Sequence, residues 1–268
     1  MDLKNRVVMV TGASSGIGEA TARAMAARGA RVVVVSEREA DLNAVAVSIN
    51  EAGGCAVPIV ADFARAGGVD NLIERTEATV GPVEVLVNNA GVGMHALVGE
   101  RPMEDTRFLF EVNFFALASL CSQVLTGMYH RRAGCIINVS SAAGQFGCAG
   151  MSAYSASKGA VHAFTQALRV EARMHDVFVS EIVPISVRTA FFNNVRGKAY
   201  KPLGVVITPE KVANCIVHTA SAKRPLPEVW PYKPIRLAFL ANVLAPGILM
   251  KINAHTFERS QRMHGETK

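Results

Sequence analysis

Apolar positions along this chain fall into two alternating rhythms. Arg6-Val7-Val8-Met9-Val10-Thr11 is a β-branched run of strand length, and an Ala-rich amphipathic stretch over 19–28 follows it, closed by Gly29 as a helix C-cap. The pairing repeats. Strand-type runs at 31–35, 56–60 and 83–87 precede helical patterns that reach about 52, cover 69–80 and cover 103–132. Then come a strand-type run at 135–141, a helical pattern from 152 to about 175, and a sixth strand at 178–183, cut off by Pro184. Strands alternating with helices at this pitch need right-handed crossovers, which predicts a doubly wound parallel sheet with helices on both faces. No repeat, low-complexity segment or linker interrupts the pattern, so a single α/β domain is expected. A further helix is predicted over 209–223, followed by Trp230-Pro231-Tyr232-Lys233-Pro234 and an apolar stretch at 237–250.

Composition narrows the class. Half of the 268 residues are hydrophobic, enough for a large core. The net charge is +6, with Lys and Arg scattered without a long run or interleaved aromatics, so nucleic-acid binding is not expected. The mild excess suits an anionic cofactor or a membrane surface. Cys55, Cys121, Cys135, Cys148 and Cys215 are odd in number, widely spaced and without a Cys-x-x-Cys pair, which reads as reduced thiols. The seven histidines show no metal-ligand spacing, so no metal is expected. The first residues run straight into the first strand with no signal peptide evident, which points to a cytoplasmic protein.

The candidate chemistry gathers where strands end. Gly12-Ala13-Ser14-Ser15-Gly16-Ile17-Gly18 joins the first strand to the first helix. Glycines allow a tight turn and close backbone approach, and a helix N-terminus presents N–H groups to a pyrophosphate. Tyr154 and Lys158 share one helix face, with Ser141 ahead of them at a strand end. A hydroxyl, a phenol and an ammonium can then converge at the carboxyl edge of the sheet, where α/β proteins bind ligands. A phenol titrates near ~10, and a cation one helical turn away lowers that value towards acid–base work at neutral pH.

On these residues, positions 3–222 resemble the short-chain dehydrogenase/reductase family, whose fold is Rossmann-type. The segment from Thr11 to Gly18 is similar to its Thr-Gly-x-x-x-Gly-x-Gly cofactor loop, and Asn88-Asn89-Ala90-Gly91 to its Asn-Asn-Ala-Gly motif. Asn113, Ser141, Tyr154 and Lys158 fall on its catalytic tetrad. The resemblance implies hydride transfer between a nicotinamide and a carbonyl or alcohol. Tyr154 would be the acid–base group and Ser141 would hydrogen-bond the substrate oxygen. Lys158 would bind the nicotinamide ribose and stabilise the phenolate, and Asn113, in a locally irregular helix, would hold a water of a proton relay. Cofactor contacts are implied for Gly12, Ser14, Ser15, Gly16, Ile17, Gly18, Ser36, Glu37, Arg38, Asp62 (at the adenine), Phe63, Asn89, Ala90, Gly91, Tyr154, Lys158, Pro184, Val187 and Thr189. One departure is Ile185, which stands where the family has a glycine, so a position tolerant of φ > 0 is lost beside the nicotinamide.

Ser36-Glu37-Arg38 ends the second strand, where an acidic residue pairs with a ribose 2′-hydroxyl and a basic one takes a 2′-phosphate. Glu37, with Ser15 in the loop, favours NAD; Ser36 and Arg38 leave NADP open. The resemblance makes 190–208, with Phe191, Phe192, Tyr200 and Leu203, a lid over the substrate, within a Rossmann domain of 1–222; 223–268 is then a C-terminal extension. Gly93-Met94-His95 and 146–151 are expected to line an apolar, roomy cleft, with His95 and His162 as ordinary residues. The expected substrate is a hydrophobic secondary alcohol or ketone, steroid-like or long-chain. Alternatives are a 3-oxoacyl-(acyl-carrier) reductase, for which Arg131-Arg132 are the visible docking cations, and a non-catalytic cofactor-binding sensor or scaffold. The stretch at 237–250 is too short to span a bilayer. It is expected to cover the pocket or a subunit interface, ahead of core packing or membrane contact. Residues 251–268 read as a frayed tail, and a homodimer or homotetramer is expected by analogy.

Overall fold

The computed structural model describes residues 2–193, 196–197, 204–247, 250–252, 254–255 and 257–258. In chain order the elements are β1 Val7–Thr11, α1 Gly16–Ala26, β2 Arg31–Ser36, α2 Glu39–Glu51, β3 Cys55–Val60, α3 Leu72–Val80, β4 Val85–Asn88 and β5 Met94–His95. There follow α4 Met103–Phe110, a π turn Glu111–Phe115, α5 Ala116–Arg131, β6 Gly134–Val139, α6 Ser152–Arg173 and β7 Val177–Ile182. The chain ends with β8 Arg196–Gly197, α7 Pro209–Ser221, β9 Glu228–Val229 and α8 Ile235–Leu244.

Seven strands form one sheet in the order β3-β2-β1-β4-β6-β7-β9, and its pairings are parallel. The chain winds outward from β1 to β3, then crosses back to lay β4 on the other side of β1. That reversal leaves a crevice at the carboxyl ends of β1 and β4. The β-branched runs serve both faces. Val8, Val10, Val32, Val34, Val85 and Ile137 point into a core with α1, α2 and α7, while Met9, Val33, Val35, Leu86 and Ile136 point into a second core with α3, α5 and α6. Each fully buried aliphatic side chain of this kind stabilises the fold by about 1.5–3 kcal/mol.

The stretch 103–132 is one helical run that widens into the π turn between α4 and α5, at the Asn113 position where the resemblance implied an irregular helix. Met103–Arg131 is long enough to cross a membrane and holds an 18-residue window of mean hydropathy 1.6, yet Leu120, Val124 and Met128 are fully buried beneath the sheet and make it a core helix. Three two-residue strands, β5, β8 and β9, were not foreseen; so short a strand carries no alternation to read. The 69–80 helix starts only at Leu72, because Asn71 takes a left-handed φ of 53°. Of the apolar stretch at 237–250, 237–244 lies in α8. The helix touches the core through Ile235 and Phe239, which rest on buried Trp230, while Leu237, Leu240, Val243 and Leu244 are exposed. Tyr200 and Leu203 of the expected lid, and the expected tail beyond 258, lie outside the described residues.

Candidate active site

The glycine loop is shaped by what lies beneath it. Gly12 and Gly16 have φ of +62° and +59°, and a Cβ on Gly12 would stand 2.9 Å from the Ala90 Cα. A Cβ on Gly16 would meet Thr189 at 2.9 Å, and one on Gly18 would sit 2.1 Å from the Gly12 carbonyl oxygen. Ser15 is the N-cap of α1, but its side chain does not cap the helix. The backbone N–H groups of the first turn are thus left without a side-chain acceptor, next to the cavity that Gly16 and Ile17 line. Thr11 Oγ1 accepts from the Asn89 and Ala90 N–H groups at 2.9 and 3.0 Å, and Asn89 Nδ2 donates to the Thr11 carbonyl at 2.9 Å. The ends of β1 and β4 are stitched at the crevice. Deeper, Asn88 donates to Asn138 and Asn138 to Thr165, each at 2.9 Å, tying β4 to β6 and α6.

The π turn carries Asn113. Its buried amide accepts from the Val92 N–H at 2.8 Å and donates to the Val92 carbonyl and to Ser157 Oγ, both at 3.0 Å. Lys158 is 4% exposed and donates from Nζ to the Val139 carbonyl at 3.0 Å. Burial pushes its pKa down to about 8, against an opposing pull from Glu181. Gly91 separates the two residues: a Cβ there would lie 3.2 Å from Asn113 Oδ1 and 3.4 Å from Lys158 Nζ. Ser141 caps the 3-10 turn Ala142–Gly144, its Oγ accepting from the Ala143 N–H at 3.1 Å. Tyr154, 8% exposed, stands with its ring 5.9 Å from that of Phe191. Ser141, Tyr154 and Lys158 line one cavity, and Asn113 stands behind its wall against Gly91.

That cavity measures about 910 Å³. Every position expected to touch the cofactor lines it except Gly18, which lies under the loop against Gly12. The remaining wall is mainly apolar, from Val92, Phe108, Val112, Phe146, Met151 and Phe191. Two expectations are corrected here. Met94 and His95 do not line the cavity: they pair with Arg196 and Gly197 as β5, and Met94 packs behind the wall on Met151 and Tyr154. Gly147, Ala149 and Gly150 are also off the wall, whereas Phe146, Cys148 and Met151 are on it. Phe108 and Val112 were missed, although their spacing of four ahead of Asn113 marks one helix face. Tyr232 and Ile235 also reach the cavity, and no periodic signal announced them.

At the far end of the cavity, the Arg38 guanidinium donates to Ser14 Oγ at 3.0 Å and Ser15 Oγ at 2.8 Å and pairs with Asp41 at 2.9 Å. Glu37 accepts from Ser36 Oγ at 3.3 Å, so a carboxylate and a cation flank the same corner. Asp62 accepts from the Ala64 N–H at 2.9 Å, beside buried Phe63. Ile185 needs no left-handed backbone, since the described non-glycine residues with positive φ are Asn5, Asn71, Arg132 and Asp176. Its loop is instead held by the Val187–Ile207 bridge and by Arg188 N–H donating to the Ile207 carbonyl at 2.8 Å.

His162 is more than an ordinary helix-surface residue. Its Nδ1 lies 2.8 Å from Oε2 of fully buried Glu181, whose hydrogen bond pushes the imidazole pKa up. Glu228 brings a third potential metal ligand within 4.8 Å, but its carboxylate already accepts from the Trp230 indole, and the group joins α6, β7 and β9. Arg131 and Arg132 sit at the amino edge of the sheet, just before β6, the edge opposite the cavity. Arg131 donates to the Val83 carbonyl at 3.0 Å, and Arg132 pairs with Asp176.

A family model described as short chain dehydrogenase matches residues 6–199. A fatty acyl-CoA reductase of Acinetobacter baylyi is 33% identical, over 99% of this chain and 90% of its own length. A 3-oxoacyl-[acyl-carrier-protein] reductase of Synechocystis is 35% identical, over 80% of this chain and 88% of its own. Among solved structures, a short chain dehydrogenase/reductase from Burkholderia phymatum in complex with NAD superposes with a TM-score of 0.82 at 23% identity, covering 93% of this chain and 96% of that one.

Proposed function

Because the chain belongs to the short-chain dehydrogenase family, an oxidoreductase family, we propose that it reduces a ketone on a long or bulky apolar substrate to the secondary alcohol, with NADPH as donor. The observation that carries this reading is the single cavity in which Ser141, Tyr154 and Lys158 meet the glycine loop at one end and an apolar wall at the other. The cradle fits a dinucleotide: side chains are sterically barred at Gly12, Gly16 and Gly18, and the α1 N-terminus is left without a side-chain cap for a pyrophosphate. A reduced nicotinamide bound there supplies the hydride.

The protein's own groups handle the oxygen. Ser141 and Tyr154 hydroxyls hold the substrate carbonyl, and Tyr154 gives its proton as negative charge develops on that oxygen. The Lys158 ammonium favours the phenolate that remains. Asn113, behind Gly91 and Lys158, orients the group through which a solvent proton returns. The apolar wall of Phe108, Val112, Phe146, Met151 and Phe191 takes the hydrocarbon part of the substrate. The Acinetobacter relative, named for fatty acyl-CoA, supports an acyl chain.

Arg38 supports NADPH. Its guanidinium lies across Ser14 and Ser15, a cation and two hydroxyls of the kind a 2′-phosphate takes, so Ser15, which the sequence counted for NAD, is drawn into that corner and Glu37 is left on the NAD side. The second reading, a 3-oxoacyl-(acyl-carrier) reductase, rests on the Synechocystis relative. It loses its expected docking cations, since Arg131 and Arg132 belong to the opposite edge. The test follows NADPH oxidation with a long-chain 3-oxo ester and with a short water-soluble ketone. Turnover that prefers the long chain and falls at least ~10²-fold in Tyr154→Phe, with NADPH binding retained, supports the proposal. Full activity in that variant would overturn it.

A further inference from the structure

We propose that α8 and its flanks dock this protein on an anionic lipid surface, with the cavity mouth turned towards the membrane. In the ten residues of α8 only Arg236 and Asn242 are polar, and a helix so apolar is normally buried on most sides. In α8 only one side is covered, by Ile235 and Phe239 resting on Trp230. On the other side Leu237 is 71%, Leu240 53%, Val243 60% and Leu244 76% exposed, and Met250 and Ile252 beyond it are 68% and 55% exposed. No other part of the described chain gathers so many large exposed apolar side chains in so short a stretch.

Charge selects the partner. Between Glu228 and Glu258 the sequence holds Lys233, Arg236 and Lys251 and no acidic residue. All three cations are exposed, and Lys211 adds a fourth, 6.0 Å from the centre of the Tyr232 ring. An apolar strip rimmed by cations matches the headgroup–acyl boundary of a bilayer containing anionic lipid. A helix of ten residues is about 15 Å long, half of a hydrocarbon core of about 30 Å, so α8 lies in the interface instead of spanning it. A second copy of this chain would face the same cations on both sides, and an acidic carrier protein would not require the apolar strip. Ile235, the first residue of α8, and Tyr232 just ahead of the helix also line the cavity, so the docked face and the mouth are continuous. That the membrane delivers the substrate rests on the reductase reading above; the docking itself does not.

The experiment sediments the full-length protein with vesicles of phosphatidylcholine alone and of phosphatidylcholine with one quarter phosphatidylglycerol. Binding to the anionic vesicles at least ~10-fold tighter than to the neutral ones, weakened by salt and by Lys233→Gln/Arg236→Gln, and lost in Leu240→Glu/Leu244→Glu, is the expected result. NADPH fluorescence titration shows whether the double-glutamate variant remains folded, and it fails separately if the reductase reading is wrong. Absence of sedimentation with either vesicle overturns the proposal. So does equal binding to both, or a wild-type dimer by light scattering that Leu240→Glu/Leu244→Glu turns into a monomer while vesicles are ignored.

Discussion

Lys158 has its ammonium nitrogen 3.0 Å from the Val139 carbonyl and is almost wholly buried, which holds its pKa at about 8. In the unfolded chain a lysine titrates near ~10.4. Between those two values the unfolded chain holds a proton that the folded protein has released, so stability rises with pH there; below about 8 the full cost of burying a cation is present. The cofactor-free protein should therefore gain stability between pH 8 and 10 relative to Lys158→Met, as read from paired urea midpoints. Parallel pH curves for the two proteins would show that the cation is not held at a cost. Arg38 provides the second test at this scale. A charge-assisted contact contributes about 1.5–3 kcal/mol, so Arg38→Glu should weaken NADPH binding ~10-fold or more and leave NADH binding within about twofold. Tighter NADH than NADPH binding by the wild type would return the preference to Glu37.

Asn113 acts through the element it sits in. Within the π turn its amide meets the Val92 backbone twice and Ser157 once, tying the segment after β4 to α6. Asn113→Ala leaves buried partners unsatisfied, at about 1–3 kcal/mol, so the thermal midpoint should fall by several degrees and turnover should fall further than stability does. Unchanged turnover in a folded Asn113→Ala protein would reduce the π turn to a structural joint. The six principal strands could be read from the sequence because a buried parallel strand is a bare β-branched run, as in Val32-Val33-Val34-Val35. The Tyr154–Lys158 pair could be read because helical spacing puts residues four apart on one face. The π turn could not be read from the apolar rhythm of 103–132, which one extra residue in a turn leaves nearly intact; only the family resemblance implied an irregular helix at Asn113. The same holds for Arg38, whose side chain chooses between solvent and the Ser14–Ser15 hydroxyls only once the loop is folded.

Across the whole molecule, stability and the proposed chemistry divide at Trp230. The two large cores gather residues as far along the chain as Ala220, with Val229 and Tyr232 packed at the edge, and α8 contributes to neither. Trp230 belongs to a smaller cluster with Ala142 and Val183, directly after Ser141 and directly before Pro184. Its indole N–H is fixed by Glu228 in β9, which pairs with β7. The residue thus clamps the strand-end turn that presents Ser141, while α8 rests on its outer side through Ile235 and Phe239. Removing 235–268 should lower the thermal midpoint by only a few degrees. Trp230→Ala opens a large cavity and should cost about 3–5 kcal/mol. It should also release the Ala142–Gly144 turn, so that turnover of a short soluble ketone falls in Trp230→Ala but holds in the truncated chain at equal protein concentration. If truncation instead unfolds the protein, α8 is a structural part of the domain and the division at Trp230 is wrong. If Trp230→Ala keeps full turnover, Ser141 is held by its own turn alone, through the Ala143 N–H.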